Sequence, residues 1–305
     1  MPNPRKSSLL ELLRERFGQV RELGASRSLF VVGDDAARIY IRYSRMHDRG
    51  RAFFGLRDVD LRQLEGRNSY ISLLVDDGSE PIFLPYSDYE EVFRGARPAA
   101  DGQHKVQLLT GTDERELYVA RQGRFNVEAY VGFAVLERGI TDRRVPPTCD
   151  LTHSKVQTFL AGIGNFKGYD VWVPTYDVGR LDWSLTPNFN LRPAVPSGYE
   201  QVRHILCEID VLWIGKGRDS IESVFEVEHS TSIYSGLLRF NDILLTNPSL
   251  SRFSIVSDES RRAVFSRQLF RPTFQRSGLA ELTSFLEYAN VSDWHSRLLN
   301  KQGKI

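Results

Sequence analysis

Two segments in the second half of the chain combine apolar residues with regularly placed acids. Residues 209–213 read IDVLW and residues 224–229 read VFEVEH. Their β-branched and aromatic side chains are typical of buried strands. Side chains two positions apart in a strand point to the same face, so Glu226 and Glu228 are predicted to project together. Asp210 joins them if the two strands pair as a hairpin.

Three carboxylates on one buried face repel one another unless a cation lies between them. Hard oxygen ligands suit Mg²⁺, which keeps several waters and shares its ligand shell with phosphates, and Mn²⁺ is expected to substitute for it. We therefore predict that Asp210, Glu226 and Glu228 surround a divalent cation, in an arrangement suited to phosphodiester cleavage. A solvated acidic face is the competing interpretation, and the apolar flanking residues argue against it.

The same periodicity analysis predicts further elements around these strands. Helices are expected at 153–164, from the cap cluster at 230–232 to about 245, at 258–265 and at 279–288, with strands at 170–174 and 253–256. Residues 175–200 are rich in Pro, Asn, Gly and Ser and show no period. The resulting order, α-β-β-β-α-β, predicts a mixed sheet flanked by helices, with the acids at its centre.

The first half of the chain is predicted to contain more strands. Helices are expected at 7–17, 57–64 and 88–93, strands at 29–32, 38–43, 52–54, 70–75 and 81–84, and a hairpin from 105–109 to 116–120. Paired prolines in 142–150 end the elements on both sides and predict a linker. We therefore predict an α/β (α+β) protein with a β-rich α+β domain at 1–143 and a mixed-sheet domain at 150–305.

The overall charge says little about partners, because 40 basic and 39 acidic residues leave a formal net charge of +1. Alternation within 38–43 places Arg38, Tyr40 and Arg42 on one face, which suits contacts with phosphates and bases. The solvated face of an edge strand is the slightly favoured alternative. No apolar run approaches the about 20 residues of a membrane helix, and no signal core follows the N-terminus. A cytoplasmic protein without membrane association is therefore expected.

The Asp-bearing strand, the Glu-x-Glu strand and the helices around them resemble the PD-(D/E)XK nuclease superfamily. In that pattern Asp210 matches the Asp of the first half-motif and Glu226 the acid of the second. Glu228 stands where the family usually has Lys, as in some restriction enzymes of the superfamily. Residues 168–174 and 230–239 add a resemblance to bacterial restriction-endonuclease-like proteins.

The resemblance implies a Mg²⁺-dependent DNA endonuclease of restriction or defence type, in which Asp210 and Glu226 are the metal ligands and Glu228 helps to activate water. Arg239 would replace the missing Lys charge or bind phosphate. Gln157 would supply an extra contact, although a surface amide is the favoured alternative, and His229 is expected to be structural because it points away from Glu228. Cutting both DNA strands with one site per chain calls for a homodimer.

A second hypothesis is a non-catalytic DNA-binding or regulatory protein on a nuclease scaffold. The absence of Lys at position 228 favours it, and the retained carboxylates argue against it. Under the endonuclease hypothesis the first domain is predicted to contribute DNA affinity or specificity rather than chemistry. Its predicted order, also helix, three strands, helix and strand, leaves open that it is a degenerate copy of the nuclease-like fold.

Overall fold

The computed structural model describes residues 3–23, 26–33, 36–47, 50–111, 114–142, 151–185, 191–229, 232–250 and 252–302. Most of the predicted linker, residues 143–150, lies outside the described residues, as do hairpin residues 112–113 and cap residues 230–231. The chain forms two compact units, Met1–Pro146 and Pro147–Ile305. Within the described ranges, no helix has both the length and the apolar character needed to cross a membrane.

The first unit contains four helices and ten strands among its described residues. The helices are α1 (Pro4–Phe17), α2 (Asp58–Arg62), α3 (Tyr86–Gly95) and α4 (Ala134–Asp142), with a 3₁₀ turn at Glu128–Tyr130. The strands are β1 (Val20–Leu23), β2 (Ser26–Val32), β3 (Ala37–Ser44), β4 (Met46–His47), β5 (Arg51–Arg57), β6 (Ser69–Val75), β7 (Ile82–Pro85), β8 (Gln103–Thr110), β9 (Arg115–Val119) and β10 (Gly123–Asn126). The β8–β9 pair confirms the predicted hairpin.

These strands form two five-stranded sheets. The first sheet has the order β1-β2-β3-β6-β7, in which β3 and β6 are parallel and the other neighbours are antiparallel. The second sheet, β10-β9-β8-β5-β4, is antiparallel throughout. Helices α1 and α4 cover one face of the first sheet through Leu9, Leu13 and Leu136, and apolar residues of β5 pack with the other face.

The burial of β3 corrects the expectation that Arg38, Tyr40 and Arg42 form one exposed face. The side chain of Tyr40 is 0% exposed, and its hydroxyl accepts a hydrogen bond from the backbone N–H of Arg57 at 3.1 Å. Arg38 is 6% exposed and donates to the carbonyl of Gln63 at 3.0 Å. Arg42 is partly exposed, with its guanidinium over the Tyr40 ring. The strand is central, so neighbouring elements cover both of its faces.

The second unit contains seven helices and five strands among its described residues. The helices are α5 (His153–Phe166), α6 (Arg203–Leu206), α7 (Ile233–Thr246), α8 (Arg262–Leu269), α9 (Pro272–Arg276), α10 (Leu279–Leu282) and α11 (Tyr288–Gln302), with 3₁₀ turns at Val178–Arg180, Glu200–Val202 and Glu259–Arg261. The strands are β11 (Asp170–Trp172), β12 (Val211–Ile214), β13 (Ile221–Glu228), β14 (Phe253–Ser257) and β15 (Thr283–Glu287). The protein is thus mixed α/β with three sheets flanked by helices.

The third sheet has the order β11-β12-β13-β14-β15, with two antiparallel pairs followed by two parallel pairs. Val211, Trp213 and Phe225 face α5 and α11, whereas Leu212 and Val224 pack with α7 on the other face. Such fully buried side chains each contribute roughly 2–3 kcal/mol to stability. Both faces are therefore covered, which explains why acids in this sheet need a specific role.

Trp213 fixes the position of α5 on the third sheet. Its indole Nε1 donates to the carbonyl of Leu160 at 2.9 Å, so its polar atom is satisfied inside the core. A Cβ at Gly164 would lie 2.5 Å from that nitrogen, so the glycine permits the close approach. The first turn of α5 is thereby held beside the beginning of β12.

The end of the chain differs from the prediction of a helix at 279–288. Residues Thr283–Glu287 form β15, which pairs in parallel with β14, and the last helix is α11. Phe285 and Leu286 are buried on opposite faces of the sheet. A short apolar run was predicted as helix because its periodicity is ambiguous, and pairing with β14 determines its structure.

Candidate active site

Asp210 and the two glutamates lie where β12 begins and β13 ends. Val211 pairs with Phe225, so the next position of the antiparallel register places Asp210 beside Glu226. The Asp210 carboxylate accepts a hydrogen bond from the backbone N–H of Val227 at 2.7 Å. The hairpin thus brings Asp210 to the edge of the Glu-x-Glu segment. Glu226 and Glu228 share the face of β13 that packs with α7.

Glu226 is 1% exposed and is held by Arg239 of α7, whose Nε lies 2.6 Å from its carboxylate. Burial raises the pKa of Glu226 well above its ordinary value, the charges of Asp210 and Glu228 raise it further, and Arg239 opposes the shift. Arg239 therefore offsets only part of the shift that burial and the two neighbouring carboxylates cause. The Arg239 side chain is itself 27% exposed, so it remains accessible to a ligand.

Glu228 is also buried, and α7 passes very close to it. A Cβ at Gly236 would lie 2.9 Å from the Glu228 carboxylate and 3.0 Å from Ile255. The backbone carbonyl of Glu228 accepts hydrogen bonds from Ser257 and, at 2.8 Å, from Arg261. The glycine thus allows the helix to approach the two acids, and the carbonyl contacts fix the end of β13.

His153 is a site residue that the sequence analysis missed. It is the first residue of α5, which Thr152 caps, and its Nε2 lies 3.3 Å from the Asp210 carboxylate. The hydrogen bond to Asp210 is the main reason that the pKa of His153 is raised. His153 and Gln157 are four residues apart and therefore share a helix face, a spacing that the sequence already contains.

Gln157 is 0% exposed, so the surface-amide interpretation is wrong. Its Nε2 donates to the backbone carbonyl of Asp210 at 3.0 Å and to the Asp177 carboxylate at 3.2 Å. Its Oε1 is buried without a hydrogen-bond partner among the described residues. Gln157 therefore fixes the chain at Asp210, and Asp177 brings the segment after β11 into the same cluster.

His229 is placed differently from the three acids. It is exposed just beyond β13, and its ring stacks on Tyr288 with 6.1 Å between the centroids. The Tyr288 hydroxyl is buried without a partner among the described residues, and burial raises its pKa. The charges of Glu228 and Asp210 contribute to that shift, so Tyr288 lies at the margin of the acidic cluster.

The carboxylate oxygens of this cluster are the ligands that a hard divalent cation prefers. Their side chains, however, are not arranged around a common metal position. Among the described residues, no set of three or more His, Cys, Asp or Glu side chains is arranged to hold a metal ion. The reason is local, since Asp210 is held by His153 and the Val227 N–H while Glu226 is held by Arg239. The carboxylates neighbour one another without converging on a single point.

Comparison with known proteins matches the segment that holds this cluster. The family model for the "Type II restriction enzyme NmeDI C-terminal domain" matches residues 139–302, more than half of the chain. The Type II restriction enzyme NmeDI of Neisseria meningitidis serogroup C is 26% identical over 162 residues, which cover 49% of this chain and 44% of that relative. No solved structure matches. The chain belongs to the family of the NmeDI C-terminal domain.

Proposed function

We propose that the protein is a Mg²⁺-dependent DNA endonuclease of restriction type, with a PD-(D/E)XK-like core in its second unit. The observation that carries this proposal is that Asp210 lies beside the segment with Glu226 and Glu228, where β12 begins and β13 ends, inside the part of the chain that matches the restriction-enzyme family. The charges of Asp210 and Glu228 next to the buried Glu226 support the binding of a cation by this cluster.

Asp210 and Glu226 would hold the ion, and Mn²⁺ would replace Mg²⁺. When bound, the ion would lower the pKa of a water molecule and stabilise negative charge on the phosphate. His153, the Val227 N–H and Gln157 fix the carboxylate and backbone of Asp210. Glu228, on the same strand face as Glu226, would accept a proton from the attacking water.

Arg239 takes the role of the missing Lys in this proposal. It is bound to Glu226 but partly exposed, so its planar guanidinium can also pair with a phosphate oxygen. The same residue thereby links the metal ligands to the DNA backbone. A homodimer with two such sites would cut both strands of the duplex.

The direct test is to incubate plasmid DNA with the purified chain in Mg²⁺, with an EDTA control. Conversion of supercoiled DNA to nicked or linear forms is expected only with the ion. The Asp210→Ala variant should lose cleavage while binding DNA as tightly as the wild type or more tightly, because a negative charge facing phosphates is removed. An unchanged cutting rate in this variant would place the active site elsewhere.

The alternative is a non-catalytic DNA-binding protein, and the ion pair between Arg239 and Glu226 is the observation that favours it. In such a protein Arg239 would permanently occupy the position of the cation. Tight DNA binding without cleavage in either Mg²⁺ or Mn²⁺ would establish this alternative and reject the endonuclease.

A further inference from the structure

The first four strands of the first sheet repeat the topology of the third sheet, whereas the fifth strand is antiparallel to its neighbour in the first sheet and parallel in the third. In the first sheet, β1, β2 and β3 are successive antiparallel neighbours and β3 is parallel to β6. In the third sheet, β11, β12 and β13 are antiparallel neighbours and β13 is parallel to β14. A helix precedes each set, and the last helix of each unit, α4 or α11, packs on the same face as that first helix.

The register of the two sheets allows the active-site positions to be compared. Leu29 pairs with Tyr40 at the end of the β2–β3 ladder, and Arg27 and Arg42 follow two residues beyond this pair on their strands. In the third sheet Asp210 and Glu226 follow one residue beyond the pair of Val211 with Phe225. Glu226 and Arg42 both lie on the strand face opposite the first helix, because their neighbours Phe225 and Ile41 face that helix.

A shared hydrogen bond supports this alignment independently. Gln157, on the first helix of the second unit, donates to the backbone carbonyl of Asp210. Lys6, on the first helix of the first unit, donates to the backbone carbonyl of Arg27. The first helix therefore contacts the equivalent position in both units, and this position is an acid in one unit and a base in the other.

The cations of the first unit influence one another. Burial lowers the pKa of Lys6, and the charges of Arg42 and Arg27 lower it further, whereas Glu22 raises it. Neither Arg27 nor Arg42 forms an ion pair with a described residue. Arg27 is exposed and Arg42 is partly exposed, so both guanidinium groups are accessible. Like charges held together in this way favour an anionic ligand.

We propose that Arg27 and Arg42 form a phosphate-binding site for duplex DNA, at the position where the second unit holds its carboxylates, while Lys6 holds the backbone of Arg27 from the side of the first helix. The two carboxylate positions that would bind a metal ion are arginines here, so this unit contacts the DNA backbone directly and does not cut it. The proposal rests on DNA as the substrate of the proposed endonuclease. It replaces the Arg38-Tyr40-Arg42 face, of which only Arg42 is accessible.

The test measures binding of the full chain to a fluorescein-labelled 30-base-pair duplex by fluorescence anisotropy, in EDTA and over a series of salt concentrations. The Arg27→Gln/Arg42→Gln double variant should bind roughly tenfold or more weakly at moderate salt. Its plot of log affinity against log salt should be shallower by about 1.8, or about 0.9 for each lost phosphate contact. The Arg27→Lys/Arg42→Lys variant should retain most of the affinity.

The matched control is Arg94→Gln/Arg97→Gln, which removes two exposed arginines elsewhere in the same unit. Its affinity should stay within about twofold of the wild type, and thermal melting should show that all variants are folded. Wild-type affinity and salt slope in the Arg27/Arg42 double variant would overturn the proposal, even if the protein cuts plasmid DNA. Conversely, salt-dependent binding that requires Arg27 and Arg42, without any cleavage, would reject the endonuclease and keep this site.

Discussion

The first and third sheets share a strand order. They differ in the charged residues near the start of the second strand and the end of the third. In the third sheet these residues are Asp210 and Glu226, with a histidine and a glutamine on the first helix behind them. In the first sheet they are Arg27 and Arg42, with Lys6 on the first helix. Under the two proposals, the shared topology places both sites, and the charge of a few side chains determines whether a site would hold a metal ion or a phosphate.

The comparison is tested most strongly by neutralising one residue in each sheet. Glu226→Gln should reduce cleavage by at least about 100-fold without weakening DNA binding, because it removes a charged ligand and preserves the size of the side chain. Arg42→Gln should weaken binding and leave the cutting rate at saturating DNA unchanged. Glu222→Gln, on the same strand as Glu226, is the control. Equal loss of cleavage in the Glu226 and Arg42 variants would contradict the division of roles.

The face of the third sheet that α5 and α11 cover contains a buried histidine, so the stability of the second unit should fall in acid. In the second unit, α11 buries His295 against Phe159 and Phe166, and burial lowers its pKa to about 4. The unfolded chain has the ordinary histidine pKa near 6.5, so this contribution to stability is complete above pH 6.5 and is lost as the pH falls towards 4. The loss should reach at most about 3 kcal/mol.

Unfolding of the full chain in urea, followed by tryptophan fluorescence between pH 7.5 and 4.5, measures this loss. His295→Phe should flatten the pH dependence, whereas the exposed His204→Gln control should not. An equally steep loss in His295→Phe would show that other groups cause the acid sensitivity.

In the second unit, helix α7 lies close to the acids because Gly236 has no side chain. Gly236→Ala places a methyl group 2.9 Å from the Glu228 carboxylate and should therefore displace it. Alanine gains up to about 1 kcal/mol of helix propensity, so the melting temperature should change little. Cleavage should fall about tenfold in plasmid assays. The control is Gly179→Ala, where the methyl group would meet open space, and it should cut normally.

The smallest expected effect is on Tyr40 of the first unit, which should contribute to stability and not to DNA binding. Tyr40→Phe removes the hydroxyl that accepts the Arg57 N–H and should destabilise the protein by about 1 kcal/mol. DNA affinity should not change, because Tyr40 is fully buried. Tyr43→Phe, a partly exposed neighbour on the same strand, is the matched control. A loss of DNA affinity in Tyr40→Phe at unchanged stability would show that Tyr40 contributes to a DNA-binding surface.

Local patterns predicted the strands that position the acids, because alternation and β-branched residues are encoded within a few positions. The β8–β9 hairpin and the helix that begins at His153 are confirmed for the same reason. Periodicity also predicted the side-by-side projection of Glu226 and Glu228, which lie on one face of β13. These features depend on neighbours in sequence.

Features that depend on distant parts of the chain could not be predicted in this way. Arg38 and Tyr40 alternate as on an exposed strand, but pairing of β3 with β6 and packing of β5 bury them. The contact of His153 with Asp210 joins residues that are far apart in sequence. Residues 283–287 form a strand because β14 supplies an edge for parallel pairing. Tertiary structure thus overrides the local pattern at β3 and at residues 283–287, and it creates the contact between His153 and Asp210.

The contacts around the carboxylates also have a consequence for the folding of the newly synthesised chain. Arg239, His153 and the Val227 N–H each satisfy part of the acidic cluster from within the chain. We therefore expect the second unit to fold without an ion as a template, unlike small domains that assemble around their metal. In the proposed enzyme, a newly synthesised chain can complete its fold in low magnesium and remain inactive, and the supply of divalent ions determines when it begins to cut.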